Sequence, residues 1–201
     1  MSRDLMGKIR VRRDSKNRIY IHNNLSNGAF FFKKRIDKRL KENDLEGISF
    51  DYMAFHILTA FSTEARLNFI GYKKVRDWKE KAPFHKKFDA VFAQLAITPN
   101  WKERPFSTVN LLKKFRDLLA HGKPKEEVIS ENVVIDQETA DRLSHLTGDW
   151  EGYCCKEMMD VVYDDMDTLW KTMLEKSGIL LFETLTSSFG GMTFIENVTE
   201  T

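Results

Sequence analysis

Ser107-Thr108-Val109-Asn110-Leu111-Leu112-Lys113-Lys114-Phe115-Arg116-Asp117-Leu118-Leu119-Ala120-His121-Gly122-Lys123-Pro124 is the stretch on which the fold turns. Leu111, Leu112, Phe115, Leu118 and Leu119 recur at helical spacing and form one apolar stripe that must face a core. Ser107 is an N-cap candidate with Phe106 before it, and Gly122 with Pro124 stops the helix after His121. Asn110, Lys114, Asp117 and His121 lie together on the opposite side. Asp117 is thereby placed to orient the His121 imidazole and favour its charged form. Arg116 flanks the stripe on the other side, a permanent cation able to grip a phosphate with two N–H groups. Spacing alone leaves two readings open. The group is either a site with a titrating member, or a helix end stabilised by its last-turn histidine next to an ordinary Arg-Asp pair.

Working outward, helical periodicity predicts further helices. From about Gly28 to Leu45, Phe32, Ile36 and Leu40 repeat every four residues beside Lys33, Lys34 and Lys38, an amphipathic and strongly basic helix. From Ile48 to about Trp78 the chain is apolar almost all round. Phe50, Ala54, Ile57, Phe61, Ala65, Asn68 and Tyr72 share one face, which predicts the central, most buried helix. Asn68 within that face and Glu64 at its edge are polar anomalies that need partners. Glu64 reads either as a clamp to a neighbouring helix or as a holder of Arg116, and the two are compatible. Phe84 to Leu95 forms a shorter helix between prolines. A last helix from about Asp149 to Lys176 carries Met159, Val162, Met166, Leu169, Trp170 and Met173 at three-and-four spacing. Val128-Ile129 and Val133-Val134-Ile135 suggest a minor strand pair.

At the amino end Lys8–Arg12 and Arg18–His22 alternate around turn residues Asp14–Asn17, which predicts a small β-hairpin with one basic face. The chain is therefore read as a basic arm at 1–25, a mainly α helical domain at 26–180, and a tail at 181–201 without clear period.

Composition narrows the class. The chain has 201 residues, 42% hydrophobic and 31% charged, enough to bury a core without staples. The two cysteines, Cys154 and Cys155, are adjacent and give neither a disulfide framework nor a zinc clamp. No secretory leader or membrane-length apolar run is present, so a reducing cytoplasm is expected. Residues 1–41 hold 13 Lys/Arg against three Asp, while the whole chain nets only +2. A molecule this polarised attracts an anion at one end, and Arg10, Arg12, Arg13, Lys16 and Arg18 are the expected nucleic-acid contacts. Docking of the basic end on the acidic end of a second copy is the alternative. His22, His56, His85 and His145 have no metal-ligand spacing. Met158, Met159, Met166 and Met173 suit a core or an interface, and Gly190-Gly191 reads as a turn or flexible tail.

The string from Phe115 to Pro124, with Arg116, Asp117 and then His121 near a helix end, resembles the signature of HEPN domains. The run Ala60-Phe61-Ser62-Thr63-Glu64-Ala65-Arg66-Leu67-Asn68-Phe69-Ile70-Gly71 is similar to a preceding helix in bacterial members, and the order of elements matches over roughly residues 48–180. The resemblance implies a HEPN-like helical bundle and a metal-independent ribonuclease without cofactor, often a toxin or defence protein, in which two protomers bring their motifs together. His121 would then be general acid or base, Arg116 would bind phosphate and Asp117 would orient, with Glu64, Asn68 and Lys114 in support. It also implies a homodimer, RNA, and an antitoxin or regulatory protein as partners. Asp117 stands where Asn is frequent, and its charge weakens the local attraction for RNA. Some members keep the fold as non-catalytic interaction or nucleic-acid-binding modules.

Overall fold

The computed structural model describes residues 8–122, 124, 126, 130, 132–137 and 148–198. Along these run β1 (Lys8–Arg18), α1 (Ile21–Lys41), α2 (Ile48–Lys74), α3 (Phe84–Gln94), α4 (Phe106–Ala120), α5 (Lys156–Ser177) and β2 (Ser187–Val198). The fold is mainly α, and α2 is its hub, packed against α1, α3, α4 and α5.

Every apolar position expected of the last helix is buried in α5. Gly178 ends that helix in the left-handed conformation, φ +62°, where a side chain would be strained. Phe115 and Leu112 of α4, Phe88 and Val91 of α3, and Phe55 and Ile70 of α2 complete the core. Each contributes roughly 1.5–3 kcal/mol by leaving water. Helix α4 opens one residue before Ser107, which makes no side-chain cap, so the expected N-cap is not used.

Helix α2 buries the face opposite to the one expected. Tyr52, Phe55, His56, Thr59, Ala60, Thr63, Leu67 and Ile70 face the core. Phe50 is 67% exposed, Phe61 44% and Tyr72 76%. The helix is apolar on both sides, so periodicity alone does not choose between them. The face that won carries polar groups that mostly find partners within the fold, although His56 Nδ1 is buried without one among the described residues. Thr59 and Thr63 donate to the carbonyls of Phe55 and Thr59, each at 2.8 Å, and His56 Nε2 donates to the Tyr153 carbonyl at 2.8 Å. Burial lowers the His56 pKa to about 4, which keeps the ring neutral at pH 7.

The basic character of α1 is largely neutralised. Asp51 accepts from both Arg35 and Arg39, while Asp37 and Asp160 pair with Lys33 and Lys156 across the α1–α5 seam. At the amino end a two-stranded antiparallel element forms as expected, but its second strand is β2, not residues 18–22. Ile21 and His22 instead open α1. The arm and the tail are thus one ribbon, anchored where Tyr20 N–H donates to Thr186 Oγ1 at 3.1 Å and Asn23 Nδ2 to the Thr184 carbonyl at 2.8 Å. Gly190 lies within β2, where a Cβ would meet the Asp14 carbonyl oxygen at 2.3 Å. Glycine there serves a close strand approach, not a turn. Val133-Val134-Ile135 form no strand, and Val128-Ile129 and His145 lie outside the described residues.

Candidate functional site

Helix α4 carries the site because its stripe is anchored. Phe115 packs on His56 and Tyr153, with ring centroids 5.1 and 5.3 Å away, which sets the angle at which Arg116 leaves the helix. Arg116 Nη1 donates to Glu64 Oε2 at 2.9 Å, and its Nε and Nη2 donate to Asp117 Oδ1 at 3.2 and 3.0 Å. The guanidinium also lies 5.4 Å over the Phe84 ring of α3. Glu64 is therefore both the interhelical clamp and the holder of Arg116.

Three contributors escape the sequence reading. Lys87, 3% exposed, donates to Glu64 Oε1 at 2.7 Å. Lys113 donates to Asp117 Oδ2 at 2.6 Å, and Phe84 supplies the ring beneath Arg116. A signal for Lys87 was present: it sits on the buried stripe of α3 with Phe88 and Val91, where a charge needs an acidic partner from another helix. The resulting chain of charges runs Lys87, Glu64, Arg116, Asp117, Lys113. It fixes α2, α3 and α4 to one another and carries one more positive than negative group. The hydrogen bond from Lys113, with a lesser one from Arg116, holds the Asp117 carboxyl below its ordinary pKa despite the opposing effect of burial.

His121 stands apart from this chain. Its backbone N–H donates to the Asp117 carbonyl at 3.0 Å and closes the helix, while its side chain is exposed. No group among the described residues hydrogen-bonds the ring. Asp117 was expected to orient His121, but its carboxylate is bonded to Lys113 and Arg116 and makes no hydrogen bond to the His121 ring. Lys114 is exposed and makes no ion pair among the described residues, and Asn68 keeps a buried Oδ1 without a partner. Neither joins the cluster. Among the described residues no group of three or more His, Cys, Asp or Glu is arranged to hold a metal ion, and no helix is long and apolar enough to cross a membrane.

The ribbon is the second candidate surface. Directly opposed residues share a face, so Arg10, Arg12, Lys16 and Arg18 line one side, and Val11 with Phe194 and Arg13 with Met192 line the other. Arg10 pairs with Glu196 and Arg12 with Asp14, whereas Arg13, Lys16 and Arg18 have no ion pair among the described residues. These three are the charges available to an anionic partner. Replacing all three with Ala is expected to reduce the slope of log affinity for single-stranded RNA against log salt by about 2, at roughly 0.7 per phosphate contact. Filter binding across a salt series reads this, and the melting temperature should hold because the side chains are exposed.

Comparison with known proteins finds no matching family model, no matching curated protein and no matching solved structure.

Proposed function

We propose that this chain is a metal-independent ribonuclease of the HEPN type, acting as a cytoplasmic homodimer in a toxin or defence system under an antitoxin or regulatory partner. The observation that carries the catalytic part is the contrast at the end of α4. Arg116 is fixed on two sides by Glu64 and Asp117, while His121 is exposed with its ring unpartnered among the described residues. A general acid or base needs open ring nitrogens, and a phosphate-holding cation needs a fixed direction. Guanidinium has five N–H groups. Three are engaged here, so two remain for a phosphate oxygen pair.

In the reaction His121 of one protomer takes the proton of a ribose 2′-hydroxyl, and the freed oxygen attacks the adjacent phosphorus. The bond to the 5′-oxygen breaks as an imidazolium, supplied by the second protomer's copy of the same residue, returns a proton to it. Arg116 offsets the charge that builds on the non-bridging oxygens. Two copies are called for because Phe50, Phe61 and Tyr72 leave exposed apolar surface on the side of α2 that borders Glu64, and a second α2 laid against it removes that surface from water.

The second reading, a non-catalytic interaction module, is favoured by the same salt bridges, since an Arg116 holding Glu64 and Asp117 also serves as a pure clamp between helices. Phe61→Glu separates the two. Wild-type protein should sediment as a dimer at micromolar concentration and cleave RNA in the presence of chelator, and the variant should be a folded monomer with cleavage lost. A wild-type dimer that cleaves no RNA selects the module. A monomer that cleaves overturns the composite site.

A further inference from the structure

Two residues on from Glu64, Arg66 turns to the other flank of α2 and enters a cleft of about 230 Å³ between α1, α2 and α5. Ser26, Phe30, Ser62, Tyr163 and Asp167 line it with Arg66. The guanidinium lies 5.1 Å over the Trp170 ring, and among the described residues its one hydrogen bond is from Nη1 to the Met166 carbonyl at 3.1 Å. Its Nε is sealed from solvent and has no partner among the described residues. No carboxylate among the described residues lies within ion-pair distance of it. The nearest acid in the cleft, Asp167, is paired with Lys171 at 2.7 Å. Burial pushes the Arg66 pKa down to about 10, outweighing the opposing effect of the Asp167 charge.

The rest of the lining adds shape and polarity. Ser26 donates to the His22 carbonyl at 2.7 Å and lies 2.6 Å from Ser62, so Ser62 donates to Ser26 and is left as an acceptor for a ligand N–H or O–H. Phe30 and Tyr163 stack with centroids 6.2 Å apart, and Phe30 keeps half its surface open as a wall for an apolar ring. A single water takes up about 30 Å³ of liquid, so the cleft has room for more than a lone ion.

We propose that this cleft is a binding site for a small ring-bearing oxyanion, its phosphate or carboxylate group held by the Arg66 fork and its ring laid against Phe30 and Tyr163. The site is separate from His121 and does not depend on the ribonuclease reading.

The test is a titration of the full chain with phenyl phosphate, benzoate and benzyl alcohol, followed by backbone amide shifts in NMR. Either anion should move the amides of Ser26, Ser62, Arg66 and Tyr163 saturably, and the stronger of the two identifies the oxyanion. Benzyl alcohol should move them little. Arg66→Met keeps the apolar stem against Trp170 and should lose at least tenfold in affinity. Arg66→Lys keeps the charge without the fork and should lose less, while His121→Ala should bind as wild type does. Absence of saturable shifts, equal binding of benzyl alcohol, or shifts confined to the ribbon around Arg13–Arg18 would each overturn the site. So would unchanged affinity in both Arg66 variants.

Discussion

Glu64→Ala is expected to lower the unfolding free energy by roughly 3 kcal/mol, the loss that follows when one partner of a buried ion pair is removed. Lys87 is 3% exposed, and Glu64 is the partner of its ammonium, at 2.7 Å. Truncation strands that charge inside the seam between α2 and α3. It also frees one edge of Arg116, though that side chain still has Asp117 and the Phe84 ring. Glu64→Gln, which keeps an acceptor oxygen but no charge, should lose less. Adding Lys87→Met to Glu64→Ala should restore most of the stability, because the stranded ammonium is then gone. Urea unfolding of the four proteins measures this. A loss under 1 kcal/mol in Glu64→Ala, with no recovery in the double variant, would show that Lys87 finds another partner and that the clamp is not structural.

Local pattern carried far into this structure, and its failures have a common cause. Met159, Val162, Met166, Leu169, Trp170 and Met173 on one side and charged residues on the other left α5 one way to face the core. The spans of α2, α3 and α4 follow from periodicity and stop signals within a few residues. Helix α2 was misoriented because it is apolar on both sides, and the choice depended on carbonyls, such as that of Tyr153, contributed from far along the chain. The strand at Lys8–Arg18 was legible from alternation. Its partner was not, since alternation states that a strand has two faces and is silent on which segment lies beside it.

The same limit applies to charge and to the site. Thirteen basic residues in the first 41 suggested a broad cationic surface, but Lys33, Arg35 and Arg39 of α1 meet carboxylates from α2 and α5, whereas Arg13, Lys16 and Arg18 of the ribbon have no ion pair among the described residues. At the site, Glu64 and Arg116 come together as their positions on neighbouring helices suggested. Asp117 makes no bond to His121 and turns instead to Lys113, one helical turn back, at 2.6 Å. Spacing of four places two residues on one face without stating which neighbour wins.

The proposed chemistry depends on the His121 side chain, and the surroundings of the two residues make His121 a cleaner test than Arg116. Arg116→Ala breaks bonds to Glu64 and Asp117 and a ring contact with Phe84, so it perturbs fold and chemistry together. The exposed His121 imidazole touches nothing that stabilises the bundle, and its backbone bond to Asp117 survives substitution. The measurement is the single-turnover rate of cleavage of a labelled single-stranded RNA, in excess chelator, by wild type and by His121→Ala of matched melting temperature. Wild type should cleave, and the variant should be slower by at least about a hundredfold, the lower end of what a positioned general acid or base contributes. Equal rates in the two proteins would contradict the proposed chemistry.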